Sequence, residues 1–185
     1  SGAFTRISTG RGHTPAEVYA RHIERWATCG TLLTAVSQDY MCEPFILRKT
    51  GQSVAEHQAR TIARYRDIRN QLDPGIHLMP VLQGYKPAEY VDHIRQYGEL
   101  IQADEWTGVG SVCKRNTSVH EIEWVLDAIT RERPDLRLHG FGLKITALRS
   151  HRVNDALFSC DSMAWSFSAR REGRDGNDIA EAIQY

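Results

Sequence analysis

The sequence predicts an α/β fold in which parallel strands alternate with helices, and three observations carry that expectation. First, short apolar runs are followed by polar residues and then by amphipathic stretches, a rhythm repeated about five times at roughly 30-residue spacing. Second, each run ends in a polar residue at its C-terminal tip: Asp39, Gln83, Ser111, His139 and Asp161. Third, no G-x-G-x-x-G turn follows any strand, which weakens the open, dinucleotide-binding version of such a sheet. Closure into a (β/α)8 TIM-barrel-like fold places all five tips around one mouth. A complete barrel takes about 250 residues. The 185 residues here therefore predict a single, incomplete barrel domain over 1–185, lacking the first strand or two and the C-terminal end.

The elements follow in order. Arg6 to His13 is rich in Gly, Ser and Thr and reads as a loop. Thr14-Pro15-Ala16-Glu17 has the form of a capping box with proline at the first helical position, so a helix is expected to about Thr28. Leu32 to Val36 is the first strand, ending in Ser37-Gln38-Asp39-Tyr40. A second capping box, Ser53 to Glu56, opens a helix whose Val54, Ile62, Tyr65, Ile68 and Leu72 fall at helical spacing, until Asp73-Pro74-Gly75 stops it. Leu78 to Leu82 is a strand ending in Gln83-Gly84. The helix opened by Lys86-Pro87-Ala88-Glu89 puts Tyr90, Ile94, Tyr97 and Ile101 on one face. Trp106 to Val112 is a glycine-interrupted strand. Ser118 to Glu121 has the form of another capping box, and Ile122, Val125 and Ile129 continue that helix to Pro134. Leu136 to Gly142 is a strand and turn, Lys144 to Arg149 a short helix, and Ala156-Leu157-Phe158 the buried strand that leads to Asp161. The tail from Asn177 to Tyr185 reads as helical.

Composition narrows the classes. With 41% apolar residues the chain supports one substantial core. No apolar run approaches a membrane span and no charged-then-apolar leader opens the chain, so a cytoplasmic protein is expected. Cys29, Cys42, Cys113 and Cys160 lie far apart without a C-x-x-C pair, so neither disulfides nor a metal site is expected. The formal net charge is zero, which argues against a strong, uniform basic surface without excluding nucleic acid. Only Lys49, Lys86, Lys114 and Lys144 of the 23 cations are lysines. The preponderance of arginine reflects a composition bias first, and otherwise suits bidentate phosphate contacts.

Asp161 admits two readings. It caps the helix that follows, a common task for aspartate, or it stands at the sheet edge where ligands bind. The company at the other tips favours the second. Asp39 and Gln83 together offer acceptors and donors suited to the edge of a purine-like ring. Gly108 and Gly110 let backbone approach a flat ligand. Asp161 is then placed to attack an anomeric carbon and form a covalent glycosyl intermediate.

In that order and spacing, the motifs resemble the queuine/archaeosine tRNA-guanine transglycosylases, most closely their branch that places 7-deazaguanine in DNA. Ser1-Gly2-Ala3-Phe4 is similar to the tail of that family's Asp-Ser-Gly-Gly/Ala-Phe motif, and Val81-Leu82-Gln83-Gly84 to its V-x-Q-G motif. Val109-Gly110-Ser111-Val112 stands where the family has a Gly-Gly-Leu-like backbone contact. His139-Gly140-Phe141-Gly142 resembles H-x-F-G-x-G, and Asp161 to Trp165 resembles the D-S-x-x-[YW] nucleophile segment. The resemblance implies guanine exchange with Asp161 as nucleophile. It implies base binding by Asp39, Gln83, Val109, Gly110, Ser111, His139 and Gly142. Arg170, Arg171 and Arg174 follow the nucleophile segment and become candidate phosphate contacts, or a solvated face. The implied partners are DNA or tRNA and a 7-deazaguanine-type base, with DNA preferred, no cofactor, and a homo- or hetero-oligomer allowed.

Three departures accompany the resemblance. The family's proton-transferring aspartate would fall before Ser1, the zinc-binding Cys-x-Cys-x-x-Cys plus His of the tRNA enzymes is absent, and Val109 replaces the first of two paired glycines. The alternatives are a non-catalytic homologue that binds a nucleobase or nucleic acid, a partner subunit of an active transglycosylase, and an unrelated barrel hydrolase that uses water.

Overall fold

The computed structural model describes residues 12–115 and 118–185. The Ser1 to Phe4 motif lies outside the described residues. Among the described residues six short strands alternate with helices: β1 (Ala35–Val36), β2 (Leu78–Met79), β3 (Val81–Leu82), β4 (Trp106–Val109), β5 (Arg137–Gly140) and β6 (Ser159–Cys160). All pairings are parallel, β1 with β2 in one ladder and β3-β4-β5-β6 in the other. Pro80 alone separates β2 from β3. Having no N–H, it sits where the segment changes partner: Met79 O accepts from Ser37 N on one side, and Pro80 O accepts from Gly108 N at 2.8 Å on the other. Spatial order therefore follows chain order, without the reversal that marks an open doubly wound sheet. Among the described residues β1 and β6 do not pair with each other, so no closed barrel is formed.

Helices precede, connect and follow the strands, and several of them cover one face of the sheet. The helices are α1 (Ala16–Ala27), α2 (Pro44–Thr50), α3 (Val54–Arg69), α4 (Pro87–Tyr97), α5 (Val119–Glu132), α6 (Ile145–Leu148), α7 (His151–Ala156), α8 (Ala164–Arg171) and α9 (Ile179–Gln184). The apolar faces read from periodicity are those that pack. Ile62, Tyr65 and Ile68 of α3, Tyr90, Ile94 and Tyr97 of α4, and Ile122, Val125 and Ile129 of α5 share one core with Leu78, Leu82, Val109 and Leu138 of the strands. Burial of these side chains contributes about 1.5–3 kcal/mol each before entropy.

Several local expectations need correction. Ser53 does cap α3, its Oγ accepting from Glu56 N while the Glu56 carboxylate accepts from Ser53 N. The two similar-looking segments do not cap in this way. Pro15, not Thr14, takes the N-cap position of α1, and Ser118 caps α5 without a side-chain bond. Glu121, which would have completed that box, is turned instead to Arg115. At Lys86 the proline-first start holds, with Glu89 accepting from the backbone N–H groups of Tyr85 and Lys86. Two short helices, α2 and α7, stand where no helix was predicted.

The predicted buried strand at Ala156 to Phe158 is not one. Ala156 ends α7, Phe158 is 56% exposed, and the strand is Ser159–Cys160. The reason is the face of the sheet that Phe158 lies on, where its ring meets Trp106 edge-on rather than a layer of helices.

Candidate active site

The register builds one row across the sheet edge. Leu82 pairs with Val109, Val109 with Gly140, and Gly140 with Cys160. The next residue on each strand is Gln83, Gly110, Phe141 and Asp161, so these four stand in line at the C-terminal edge. At the usual parallel spacing the row is about 14 Å from Gln83 to Asp161. Alternation puts their side chains on the face away from the helix-packed core. Phe141 confirms the direction: its ring lies over Gly108, where a Cβ would come within 2.4 Å of it.

At one end of the row the polar side chains form a hydrogen-bonded chain. Gln83 donates its Nε2 proton to the Asp39 carboxylate, and Ser111 Oγ donates to Gln83 Oε1 at 2.7 Å. Ser111 in turn accepts from Cys42 N at 3.2 Å. Ser111 adopts φ 56°, in the left-handed region that a non-glycine residue occupies at a cost. Gly110 has no Cβ for a direct reason, since one would sit 2.1 Å from Gln83 Nε2.

The Gln83 backbone is fixed just as firmly. Its N–H donates to His93 Nδ1 at 2.8 Å, and its C=O accepts from Gln58 Nε2 at 2.8 Å. His93 is fully buried and burial lowers its pKa to about 3, so the ring is neutral. Nδ1 accepts, which leaves Nε2 to donate to Gln58 O. Gln58, Tyr90 and His93 hold the backbone of Gln83 and Gly110, a supporting role that the sequence analysis did not assign to them. The available signal was polar residues at core-facing positions of α3 and α4.

Desolvation raises the Asp39 carboxyl to about 6, assisted by the charge of Glu43 and opposed by the Gln83 hydrogen bond. A carboxyl poised there exchanges protons near neutrality. The Asp39 main chain is also held, its C=O meeting His13 Nε2 at 2.9 Å.

At the other end stands Asp161. It caps nothing: α8 begins after Met163, and Asp161 Oδ1 accepts from Gly142 N at 2.7 Å. His139 Nε2 lies 3.7 Å from the same oxygen. The His139 ring and the Gly142 amide hold the Asp161 carboxyl below its ordinary value despite partial desolvation. The side chain is 59% exposed, so an ionised carboxylate faces open space. Gly142 has φ 65° and Cys113 packs beside it, which suits glycine alone.

The expected residues are thus divided. Asp39, Gln83 and Ser111 form one group and His139, Gly142 and Asp161 another, at the two ends of the edge. Between them, Val109 turns into the helix-facing core, and both backbone groups of Gly110 bond within the protein: its N–H to Leu82 O and its C=O to Tyr90 OH. Of the arginines, Arg174 is engaged by Glu172 and Glu181, and Arg170 by Asn177 at 3.5 Å. Arg171 lines a cleft of about 370 Å³ with Lys144, Phe167 and Tyr185. Among the described residues no group of three or more His, Cys, Asp or Glu is arranged to hold a metal ion, and no helix is long and apolar enough to cross a membrane.

Fold and site together define a parallel α/β protein with its polar side chains gathered at the C-terminal ends of its strands, where this architecture holds ligands. Within that class, the chain belongs to the DpdA family, DeoxyPurine in DNA protein A, whose model matches residues 1–178. No curated protein matches it.

Proposed function

We propose that this chain handles base and sugar in a DNA-guanine transglycosylase, replacing guanine by a 7-deazaguanine through a covalent aspartyl–deoxyribosyl intermediate. The observation that carries the reading is the common row of Gln83, Gly110, Phe141 and Asp161 at one sheet edge. Membership of a family named for deoxypurine in DNA supports DNA over tRNA. We read the chain-ordered strands as part of a (β/α)8 wall. In a closed barrel the row bends around a mouth, so that base and sugar reach it together.

In this reading a flipped-out guanine lies against the Asp39–Gln83–Ser111 chain, its edge reading the carboxylate and carboxamide. Asp161 bonds to C1′ as the C1′–N9 bond breaks, and the guanine leaves with that electron pair and takes up a proton. The incoming 7-deazaguanine gives up a proton and attacks C1′, and the ester bond to Asp161 breaks. His139 and Gly142 flank the nucleophile. Of Arg170, Arg171 and Arg174, Arg171 is the foremost phosphate contact, since its cleft joins cationic and aromatic groups beside Glu172, whereas Arg170 must leave Asn177 and Arg174 must leave Glu172 and Glu181 to take part.

The test is base exchange by the full-length protein on duplex DNA carrying labelled guanine. Label released in step with incorporation of a supplied 7-deazaguanine is the expected result. Release without incorporation identifies a hydrolase, and binding without release a non-catalytic homologue; either overturns the reading. A second expected result concerns affinity. Arg171→Ala should weaken DNA binding and lower the slope of log K against log salt by about 0.9 for one lost phosphate contact. Binding titrations at several salt concentrations measure this, and an unchanged slope counts against the contact.

A further inference from the structure

Behind His139 lies a connected set of side chains that the reaction above does not use. Trp106 Nε1 donates to Ser159 Oγ at 2.9 Å, and Ser159 Oγ lies 2.9 Å from His139 Nδ1. The register explains the meeting, for His139 pairs with Ser159 on one side and with Gly108 on the other. Gly108 presents no side chain, so the Trp106 indole reaches across two strands to Ser159. The His139 ring is also held from both sides, with Phe141 at 4.7 Å and Trp106 at 6.3 Å between centroids, both edge-on. Its orientation is therefore set before any substrate arrives.

Ser159 Oγ, with the indole N–H on one lone pair, is free to give its own proton to His139 Nδ1, and a relay through these side chains depends on that arrangement. With Nδ1 accepting, the ring proton resides on Nε2, the atom that faces Asp161.

We propose that Trp106, Ser159 and His139 form a positioning relay that keeps an N–H directed at Asp161 Oδ1 and thereby singles out Oδ2 as the attacking oxygen. The inference rests on Asp161 being the nucleophile, as proposed above. Oδ1 already accepts the Gly142 amide, so both donors converge on one oxygen. At 3.7 Å the His139 contact is electrostatic rather than a hydrogen bond. Contacts of this kind tighten when substrate is bound. As Oδ2 bonds to C1′ and the C1′–N9 pair leaves with guanine, Oδ1 becomes the ester carbonyl oxygen. It stays under the two donors, and His139 neither gains nor loses a proton. The titratable groups beside Asp161 are His139 and the Cys160 thiol, which desolvation and the Asp161 charge push up and so keep neutral.

The experiment uses the full-length protein with Ser159→Ala, Ser159→Thr and His139→Gln. Nitrogen-15 histidine spectra, with His139 assigned by its loss in His139→Gln, should show the Nε2–H tautomer in the parent and a mixture in Ser159→Ala. Single-turnover adduct formation should fall about tenfold in Ser159→Ala, with DNA affinity unchanged, and recover in Ser159→Thr. In His139→Gln the acid limb of the rate should move to higher pH, because the Gly142 amide is left to hold the Asp161 carboxyl low without the histidine, the largest lowering influence on it. A parent protein with the proton on Nδ1, or a Ser159→Ala rate and pH profile equal to the parent's, overturns the relay. Failure of the underlying reading is separate: an adduct that persists in Asp161→Asn removes the nucleophile while the tautomer measurement still stands.

Discussion

Replacing Asp161 with Asn is expected to abolish the covalent protein–DNA adduct, by at least about a thousandfold, while the protein remains folded. The carboxamide keeps an oxygen for the Gly142 amide, so the turn at Gly142 retains its partner. What is lost is the negative charge and with it the proposed nucleophile. The stability change should stay below about 1 kcal/mol, because the side chain is largely in solvent, where ion pairs are screened. The native Asp161 pKa is lowered, so its contribution to stability is present above the ordinary carboxylate value and lost as pH falls through the lowered one. A denaturing gel of protein incubated with DNA reads the adduct, and thermal melts read the fold. A covalent band that survives in Asp161→Asn would place the nucleophile elsewhere.

Asp39→Asn is expected to separate stability from recognition. Burial raises the Asp39 carboxyl from 3.8 to about 6. A raised carboxyl stabilises the fold relative to its ionised state only while protonated. Its favourable contribution is therefore full below the unfolded value and lost as pH rises through about 6. Asparagine is uncharged throughout and still accepts from Gln83. The variant should match the parent near pH 4 and exceed it at pH 8 by on the order of 2 kcal/mol. His57 and His93, whose values burial lowers, titrate alike in both proteins and drop out of the difference. Base binding should move the other way, since a carboxylate accepts two donors from a guanine edge where a carboxamide accepts through one oxygen. Denaturant titrations across pH and base-binding measurements at pH 8 give the two arms. A variant that is no more stable at pH 8 would mean that the Asp39 charge is already solvated.

Much of the site was legible because strand tips announce themselves. An apolar run broken by one polar residue and a glycine, as at Val81-Leu82-Gln83-Gly84, locates both the strand and its polar C-terminal tip. The helices α3, α4 and α5 were legible for the same reason, each pointing one apolar stripe at the core. The segment before Asp161 was not. Leu157 and Phe158 look like a core strand by composition, yet α7 takes Ala156 and the ring of Phe158 lies across Trp106. Hydrophobicity reports that a side chain avoids water; it does not report which face of a sheet is covered. Short helices such as α2 and α7 span too few turns to show a period at all.

The amino-acid sequence by itself determined the alternation of strand and helix, the order of the polar tips and the apolar stripes, because these depend on residues within one or two turns of each other. Tertiary structure decided the partnerships. Gln83 is bound to Asp39 across 44 residues and to Ser111 across 28. Asp161 is joined to Gly142 rather than to its own helix. Parallel register brings such pairs together, and register is settled by which faces pack against the helices, a property of all the strands at once.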